Sequence, residues 1–295
     1  MPTSEPITVR PRSIDGLSVK ADVYRPPGRG PHPVVLYLHS GALIWGSRRS
    51  ITPAQVERYT AAGYAVVSAD YRLAPETKLA AIVDDVAAAL AWLEGSEAAG
   101  LGLDAARTAV AGSSAGGYLA LLTGTMPARP RAIVSLYGYG NIGGEWYAKP
   151  SQHYLTTMPH VSRSDALATV GTAPLTTGDR SRFRFYLYCR QQGTWVQEVC
   201  GLGPGPVADA AIDQYCPARV ADRAFPPTLL IHGDADTDVP VQQSQHMSST
   251  LAGLGVPHRL RVVPGAGHVF DRDMALAASQ RAYDEIIAFL DQHLR

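Results

Sequence analysis

The pattern of apolar and polar positions changes after about the first 25 residues. Residues 7–25 alternate with a period of two around Asp15-Gly16, which predicts two antiparallel strands joined by a tight turn. Short and largely apolar runs follow, at 34–38, 64–70, 107–111, 132–137, 228–232 and 259–263. Runs that are apolar on both faces are typical of the central strands of a covered sheet.

Helical patterns separate these runs, and we predict helices at 53–62, 79–94, 118–122, 240–253 and 274–292. Strands that alternate with helices form βαβ units. The predicted fold class is therefore α/β, with a mostly parallel central sheet and helices on both faces.

The alternation stops at about residue 138 and returns at about 226. The interval is rich in aromatic residues, Gly and Pro, and it contains all three cysteines. We therefore predict a core formed by 1–137 and 226–295, and an insertion at 138–225.

Composition limits the class of protein. Of 295 residues, 46% are hydrophobic and 18% are charged, as in an ordinary globular protein. The 26 basic residues balance 26 acidic ones without any Lys/Arg-rich block, which argues against nucleic acid or a membrane as a partner. We expect a cytoplasmic protein, because the chain shows no signal-peptide pattern and no run long enough to span a membrane. The oligomeric state stays open, with a homodimer as one alternative.

Two motifs that suggest a cofactor or a metal lack the residues that such sites need. Residues 138–143 fit G-x-G-x-x-G, but no helix opens after them and no acidic residue follows at the ribose position. The Asp-x-Asp-x-Asp sequence at 234–238 imitates a calcium loop, yet Val239 and Gln245 stand where the loop needs Gly and Glu. The cysteines have no C-x-x-C spacing, which predicts reduced thiols and no zinc site. We expect neither a cofactor nor a metal.

A G-x-S-x-G sequence lies between the predicted strand at 107–111 and the predicted helix at 118–122. In this setting Ser114 is a candidate nucleophile on a sharp turn, and Gly112 and Gly116 let the strand and the helix approach each other. The alternative is a turn of small residues without chemistry. A base and an acid elsewhere in the chain decide between the two.

Both partners occur, each after a predicted strand. An aspartate near 236 follows the strand at 228–232, and His268 follows the strand at 259–263. The carboxyl ends of parallel strands meet at one edge of a sheet, where functional groups gather. The order Ser, Asp, His along the chain is that of elbow-type hydrolases.

Several sequences together resemble the α/β-hydrolase superfamily and, more narrowly, its hormone-sensitive-lipase-like esterase branch. The resemblance covers about 30–140 and 225–295, and it makes the insertion a cap. The sequences that carry it are His39-Ser40-Gly41-Ala42, 70–76, the G-x-S-x-G at 112–116, the H-G-x-x-D-x-x-V-P at 232–240 and Gly267-His268.

The resemblance implies a role for each candidate residue. Ser114 becomes the nucleophile, Asp236 the acid and His268 the base. Asp236 is preferred over Asp234 and Asp238 because it matches the aspartate of the H-G-x-x-D-x-x-V-P pattern.

The resemblance also implies an oxyanion hole made of backbone N–H groups. Ala115 supplies one donor, and Gly41 and Ala42 of the His39 loop are the other candidates. The loop departs from the family's H-G-G-G, because Ser40 and Ala42 stand in place of glycines.

Four further polar residues are expected to be structural. His39 holds its loop, and His232 is buried and hydrogen-bonded. Asp70 and Arg72 belong to the scaffold, as an ion pair or as backbone anchors.

We expect hydrolysis of small to medium carboxylic esters through an acyl-enzyme. Aromatic residues of the insertion and of the oxyanion loop are expected to line an apolar pocket for this small-molecule substrate. The candidates are Trp45, Tyr71, Trp146 and Tyr186.

Two other functions stay open. The same triad can cleave an amide, a lactone or an arylformamide, or release an acyl chain from a carrier. A hydrolase-like protein can also bind a ligand without catalysis, as gibberellin receptors do. Those receptors lack the catalytic histidine, so His268 favours an enzyme.

Overall fold

The computed structural model describes residues 5–202 and 209–295. Residues 1–4 of the predicted core and 203–208 of the predicted insertion lie outside the described residues. The strands of its eight-stranded sheet are β1 (Ile7–Ile14), β2 (Leu17–Tyr24), β3 (His32–Leu38), β4 (Ala65–Ala69), β5 (Leu103–Ser113), β6 (Ala132–Leu136), β7 (Thr228–Gly233) and β8 (His258–Val263).

The strands lie in the order β1-β2-β4-β3-β5-β6-β7-β8. From β4 to β8 every neighbouring pair is parallel. The hairpin of β1 and β2 joins the sheet antiparallel, through β2 and β4. The predicted fold class, α/β with a mostly parallel sheet, is confirmed.

The helices connect these strands on both faces of the sheet. In the described residues none is long and apolar enough to cross a bilayer. They are α1 (Pro53–Ala61), α2 (Leu79–Leu93), α3 (Ser96–Gly100), α4 (Ala115–Thr123), α5 (Glu145–Ala148), α6 (Gln152–Thr157), α7 (Arg163–Leu167), α8 (Phe183–Gln192), α9 (Trp195–Cys200), α10 (Asp209–Ile212), α11 (Pro217–Val220), α12 (Gln242–Leu254) and α13 (Ala277–Leu294).

Two apolar cores cover the sheet, one on each face. Side chains of α1 and α13 form the first core, in which Tyr59 and Tyr283 are fully buried. Side chains of α2, α4, α12 and the inserted helices form the second. Every residue of β4 and β6 is buried, which explains why these strands are apolar on both faces.

Local signals account for where the elements begin. Thr52 and Gln55 form a capping box at the start of α1, as the Thr-Pro sequence there predicts. The last helix was predicted from 274 but begins at Ala277. Asp273 accepts a hydrogen bond from the N–H of Ala275 at 2.9 Å, and such a turn competes with helix formation.

The segment between β6 and β7 consists mainly of short helices, and a buried arginine joins it to the core. The Arg182 guanidinium donates to the carbonyl oxygens of Ile44 at 2.6 Å and Ala74 at 2.7 Å. It also donates to both carboxylate oxygens of Glu76, at 2.9 and 2.6 Å. Burial alone would raise the pKa of Glu76, but the hydrogen bonds from Arg182 and Gly171 lower it. Glu76 is therefore ionised, and the ion pair holds the insertion in place.

Asp70 and Arg72 are both structural, but they do not pair with each other. Asp70 accepts from the Arg48 N–H at 2.7 Å and from the Arg48 guanidinium at 2.8 Å. Arg72 donates to Asp85 of α2 at 2.7 and 2.9 Å. Asp70 thus anchors the Arg48 turn, and Arg72 anchors α2.

The turn between β5 and α4 packs tightly against the end of β3. A Cβ on Gly116 would lie 1.9 Å from the Leu38 carbonyl oxygen, and one on Gly112 would lie 2.3 Å from the Gly116 carbonyl oxygen. Only glycine fits at these two positions without moving the backbone.

Replacing one of these glycines should therefore destabilise the fold. We expect Gly116→Ala to lower the free energy of unfolding by about 3 kcal/mol or more, because backbone atoms must move. Gly253→Ala in α12 is the matched control, since a Cβ there meets nothing within 4 Å, and alanine should stabilise that helix by about 0.5–1 kcal/mol. Urea denaturation of both variants measures the difference, and equal stabilities would contradict the contact.

Candidate active site

Ser114 lies in the turn between β5 and α4 in a strained conformation, with φ 55° and ψ −118°. Its N–H donates to the Leu136 carbonyl of β6 at 2.9 Å, and its own carbonyl accepts from the Tyr118 N–H at 2.9 Å. The sheet and the helix thus hold the strained residue from both sides. The side chain lines a cavity.

The structure brings Ser114, His268 and Asp236 together at the carboxyl edge of the sheet. The Ser114 Oγ lies 3.0 Å from the His268 Nε2, and the His268 Nδ1 lies 2.7 Å from the Asp236 Oδ2. Because the Nδ1–H group donates a hydrogen bond to the ionised carboxylate, Nε2 carries no proton in the neutral imidazole and can accept the hydroxyl proton of Ser114.

Asp236 is better placed than its two neighbours to orient the imidazole. Its side chain is fully buried, and its Oδ1 accepts from the N–H groups of Asp238 and Val239 at 2.9 Å. Burial would raise the pKa of Asp236, but hydrogen bonds from His232 and His268 hold it well below its usual range. Asp234 is exposed and instead accepts from the Gly265 N–H at 2.6 Å.

His268 carries a raised pKa. Burial lowers the pKa of its imidazole, but the hydrogen bond to Asp236 and the charge of Asp238 outweigh that effect. The Asp238 Oδ2 lies 3.6 Å from the His268 Nε2, on the side that faces the cavity.

The buried carboxyl group of Asp271, behind His268, was not predicted from the sequence. The Tyr137 ring lies edge-on to the imidazole at 4.8 Å, and its hydroxyl donates to Asp271. Asp271 also accepts from the Gln55 Nε2 at 2.8 Å, and it is fully buried. The only sequence signal is an aspartate three residues after the histidine.

Three backbone N–H groups, in the loop after His39 and in the Ser114 turn, are the candidates for the oxyanion hole. Gly41, Ala42 and Leu43 have consecutive positive φ angles of 117°, 54° and 64°. Within the described ranges, the N–H groups of Gly41, Ala42 and Ala115 donate no hydrogen bond. Gly41 is required in this loop, because a Cβ would lie 1.9 Å from the Trp45 carbonyl oxygen. Ala42 tolerates the left-handed conformation at a cost of about 1 kcal/mol.

His39 and Tyr71 support this loop from below. The His39 Nδ1 lies 2.7 Å from the Ser40 carbonyl oxygen, and the Tyr71 hydroxyl donates to the His39 carbonyl at 2.8 Å. The two rings stack at 4.1 Å. Burial lowers the pKa of His39 to about 4, so the imidazole is neutral. His232 is also buried and lies 2.7 Å from the Ser244 hydroxyl.

The cavity above Ser114 has a volume of about 430 Å³. Of the four aromatic residues predicted to bind substrate, only Trp45 lines it. Tyr71 lies under the loop and Trp146 stacks on Tyr147 at 3.7 Å, so neither lines this cavity. Tyr186 is also buried away from it. The remaining lining residues are Ser40, Gly41, Ala42, Tyr154, Arg180, Phe183, Thr237, Asp238, His268, Val269 and Arg272.

Tyr186 acts on the cavity through Asp238. Its hydroxyl donates to the Asp238 Oδ1 at 2.5 Å, and the Arg190 guanidinium lies 3.7 Å from the same oxygen. Arg190 is nearly fully buried, and its guanidinium lies within 6 Å of the ring centroids of Trp146, Tyr147, Tyr154 and Tyr186. Tyr186 and Arg190 of the insertion therefore hold the Asp238 carboxylate at the wall of the cavity.

The described residues contain no group of three or more His, Cys, Asp or Glu side chains that could hold a metal ion. The chemistry available at this site is that of a hydroxyl, an imidazole, carboxylates and backbone N–H donors.

The chain matches the BD-FAE family over residues 21–251. It belongs to that family. The BD-FAE assignment, together with the esterase structures described next, places the chain in the hormone-sensitive-lipase-like branch of the α/β hydrolases, as the sequence motifs predicted.

Solved structures similar to this BD-FAE chain include two esterases. The Pyrobaculum calidifontis esterase is 25% identical, with a TM-score of 0.72 over 99% of this chain and 85% of that one. Esterase LipW from Mycobacterium marinum is 26% identical, with a TM-score of 0.68 over 98% of this chain and 81% of that one. A Staphylococcus aureus protein of unknown function shares the fold, with a TM-score of 0.82, 22% identity and coverage of 98% and 100%. The similarity to esterases supports a hydrolase.

Curated relatives of this BD-FAE chain include non-reducing polyketide synthases. The protein from Aspergillus calidoustus is 30% identical over 359 residues, which cover 100% of this chain and 14% of the synthase. The protein from Emericella nidulans is 27% identical over 342 residues, which cover 97% and 14%. The chain thus spans about a seventh of the length of these relatives.

The charge of Asp238 should be visible in the pH dependence of activity. Asp238→Asn removes a negative charge near the His268 imidazole and keeps an acceptor for Tyr186. Because that charge raises the pKa of His268, we expect the variant to lower it. The acid limb of the kcat/KM profile should then move to lower pH. Asp234→Asn is the control, and a shift to higher pH in the Asp238 variant would contradict the assignment.

Proposed function

We propose that this chain is a serine hydrolase that cleaves small to medium carboxylic esters through an acyl-enzyme intermediate. The observation that supports the proposal is the hydrogen-bonded series from the Ser114 Oγ through the imidazole of His268 to Asp236, at 3.0 and 2.7 Å. These are the contacts that a serine nucleophile, its base and an orienting carboxylate require.

In the acylation step, the Ser114 Oγ attacks the ester carbonyl while the His268 Nε2 takes its proton. Negative charge develops on the carbonyl oxygen, and the N–H groups of Gly41, Ala42 and Ala115 stabilise it. The ester C–O bond then breaks, and His268 returns the proton to the departing alcohol. Ser114 is left acylated.

In the deacylation step, water takes the position of the alcohol. His268 accepts a proton from this water as its oxygen attacks the acyl carbon, and the same N–H groups bind the second oxyanion. The bond from the acyl carbon to the Ser114 Oγ breaks, and His268 returns the proton to Ser114. Asp236 stays ionised throughout and stabilises the imidazolium.

The cavity supports a substrate of moderate size. Its volume of about 430 Å³ is at the lower end of the range of small-molecule sites. Trp45, Tyr154 and Phe183 supply aromatic walls, which favour an apolar or aromatic acyl or alkyl group.

Ser114→Ala tests the nucleophile. We expect kcat for p-nitrophenyl butyrate to fall by about 1,000-fold or more, since no other group replaces the hydroxyl. A fluorophosphonate should label Ser114 in the native chain and leave the variant unlabelled. Ser113→Ala is the matched control, because the Ser113 hydroxyl lies 3.2 Å from the Tyr37 hydroxyl in the core. Equal rates for the native and Ser114→Ala proteins would end the proposal.

A second candidate function is release of an acyl group from a thioester carrier. The similarity of the whole chain to one segment of non-reducing polyketide synthases favours it. The same serine can attack a thioester carbonyl, with a thiol as the leaving group.

Paired substrates separate the two functions. We compare the benzoyl thioester of N-acetylcysteamine with ethyl benzoate, each rate divided by that of alkaline hydrolysis. An ester hydrolase should accelerate the oxygen ester at least as much as the thioester. An excess of about tenfold or more for the thioester would favour carrier release, because intrinsic reactivity has been removed from the comparison.

A further inference from the structure

A second cavity, of about 460 Å³, lies in the insertion next to the active-site cavity. The two cavities share the lining residues Arg180 and Phe183. The two cavities are therefore neighbours, with Arg180 and Phe183 between them. We call the second cavity the cap groove, lined by Met158, Pro159, His160, Val161, Asp165, Arg180, Ser181, Phe183, Arg184 and Leu187.

Two arginines that line the cap groove have no carboxylate partner among the described residues. In the part of the chain that the structure describes, Arg180 and Arg184 form no ion pair within 4 Å, and both are exposed. Two arginines of the same segment, Arg182 and Arg190, do face carboxylates. The whole chain is electrically neutral, so the free positive charge is a local property of the groove.

The acidic residues near the cap groove cancel only part of this charge. The Asp238 carboxylate faces the buried Arg190 guanidinium at 3.7 Å. Asp165 is exposed, accepts from the Ser162 hydroxyl at 2.8 Å and keeps its charge, so two arginines and one aspartate leave the lining of the cap groove net positive. A cationic groove with an apolar floor of Met158, Val161 and Leu187 therefore remains beside the catalytic centre.

We infer that the cap groove binds an anionic group of the substrate, a carboxylate or a phosphate, at a distance from the scissile carbonyl. The inference rests on the proposed function, because it places that carbonyl at Ser114. Guanidinium groups pair with both anions through parallel hydrogen bonds, and the apolar floor covers the connecting chain. Arg180 and Arg184 are then specificity-determining residues.

Two substrate pairs test the inference and separate the sources of the anion. The half-ester p-nitrophenyl hydrogen glutarate is compared with neutral p-nitrophenyl valerate. The benzoyl thioester of coenzyme A, which carries phosphates, is compared with that of N-acetylcysteamine. We expect the native chain to favour the anionic member of at least one pair, and the pair it favours identifies a carboxylate or a phosphate.

The variant Arg180→Gln/Arg184→Gln should lower the anionic-to-neutral ratio of kcat/KM by about fivefold or more, as the loss of two charge contacts predicts. About 0.5 M salt should reduce the ratio of the native chain in the same direction, because screening weakens exposed charges. Arg281→Gln is the matched control, an exposed arginine of α13 on the opposite face of the sheet. Its ratio should stay within about twofold of the native value. Thermal unfolding checks that each variant folds.

An unchanged ratio in the double variant, or a native preference for neutral substrates in both pairs, overturns the inference. A separate binding titration uses Ser114→Ala protein and isothermal calorimetry with the coenzyme A thioester and the half-ester. Tighter binding of an anionic compound, lost in Ser114→Ala/Arg180→Gln/Arg184→Gln, supports the inference even where turnover is absent. The proposed function is refuted if the native chain cleaves none of the substrates and does not react with fluorophosphonate. In that case the titration by itself tests whether the cap groove binds an anion.

Discussion

Close packing between the Ser114 turn and the end of β3 is the constraint on which the site depends. A Cβ at position 116 would clash with the Leu38 carbonyl oxygen, so the backbone of the turn between β5 and α4 is in direct contact with the end of β3. This contact fixes Ser114 in a conformation that a serine rarely adopts, with φ 55°. The packing of three elements offsets the strain, and the hydroxyl keeps its direction toward His268.

Burial then determines which groups carry charge. The Asp236 side chain is fully buried but accepts several hydrogen bonds, and its pKa stays low. Asp271 is buried with fewer donors, and its pKa is raised. His39 is buried without a charged partner, and its pKa falls. The same loss of solvent thus leaves Asp236 ionised and His39 neutral. For His268, the neighbouring carboxylates outweigh the effect of burial and raise the pKa.

Buried arginines join the insertion to the core. Arg182 contacts two backbone carbonyls and Glu76, and Arg190 reaches Asp238 from a surround of aromatic rings. Removing one partner of such a pair would leave an uncompensated charge in the interior, which is strongly destabilising. These contacts hold the insertion against the core, and its arginines Arg180 and Arg184 line the cavity next to that of Ser114.

The sequence by itself determined the α/β fold, the motif at Ser114 and the order of the candidate residues, because these follow from local patterns and from the shared edge of parallel strands. It did not reveal that Arg48 pairs with Asp70, that Asp271 lies behind His268, or that Tyr154 and Phe183 line the cavity while Trp146 and Tyr71 do not. Those contacts join residues far apart in the chain. Short helices of the insertion carry little periodic signal, so only tertiary packing decided which of their side chains reach the site.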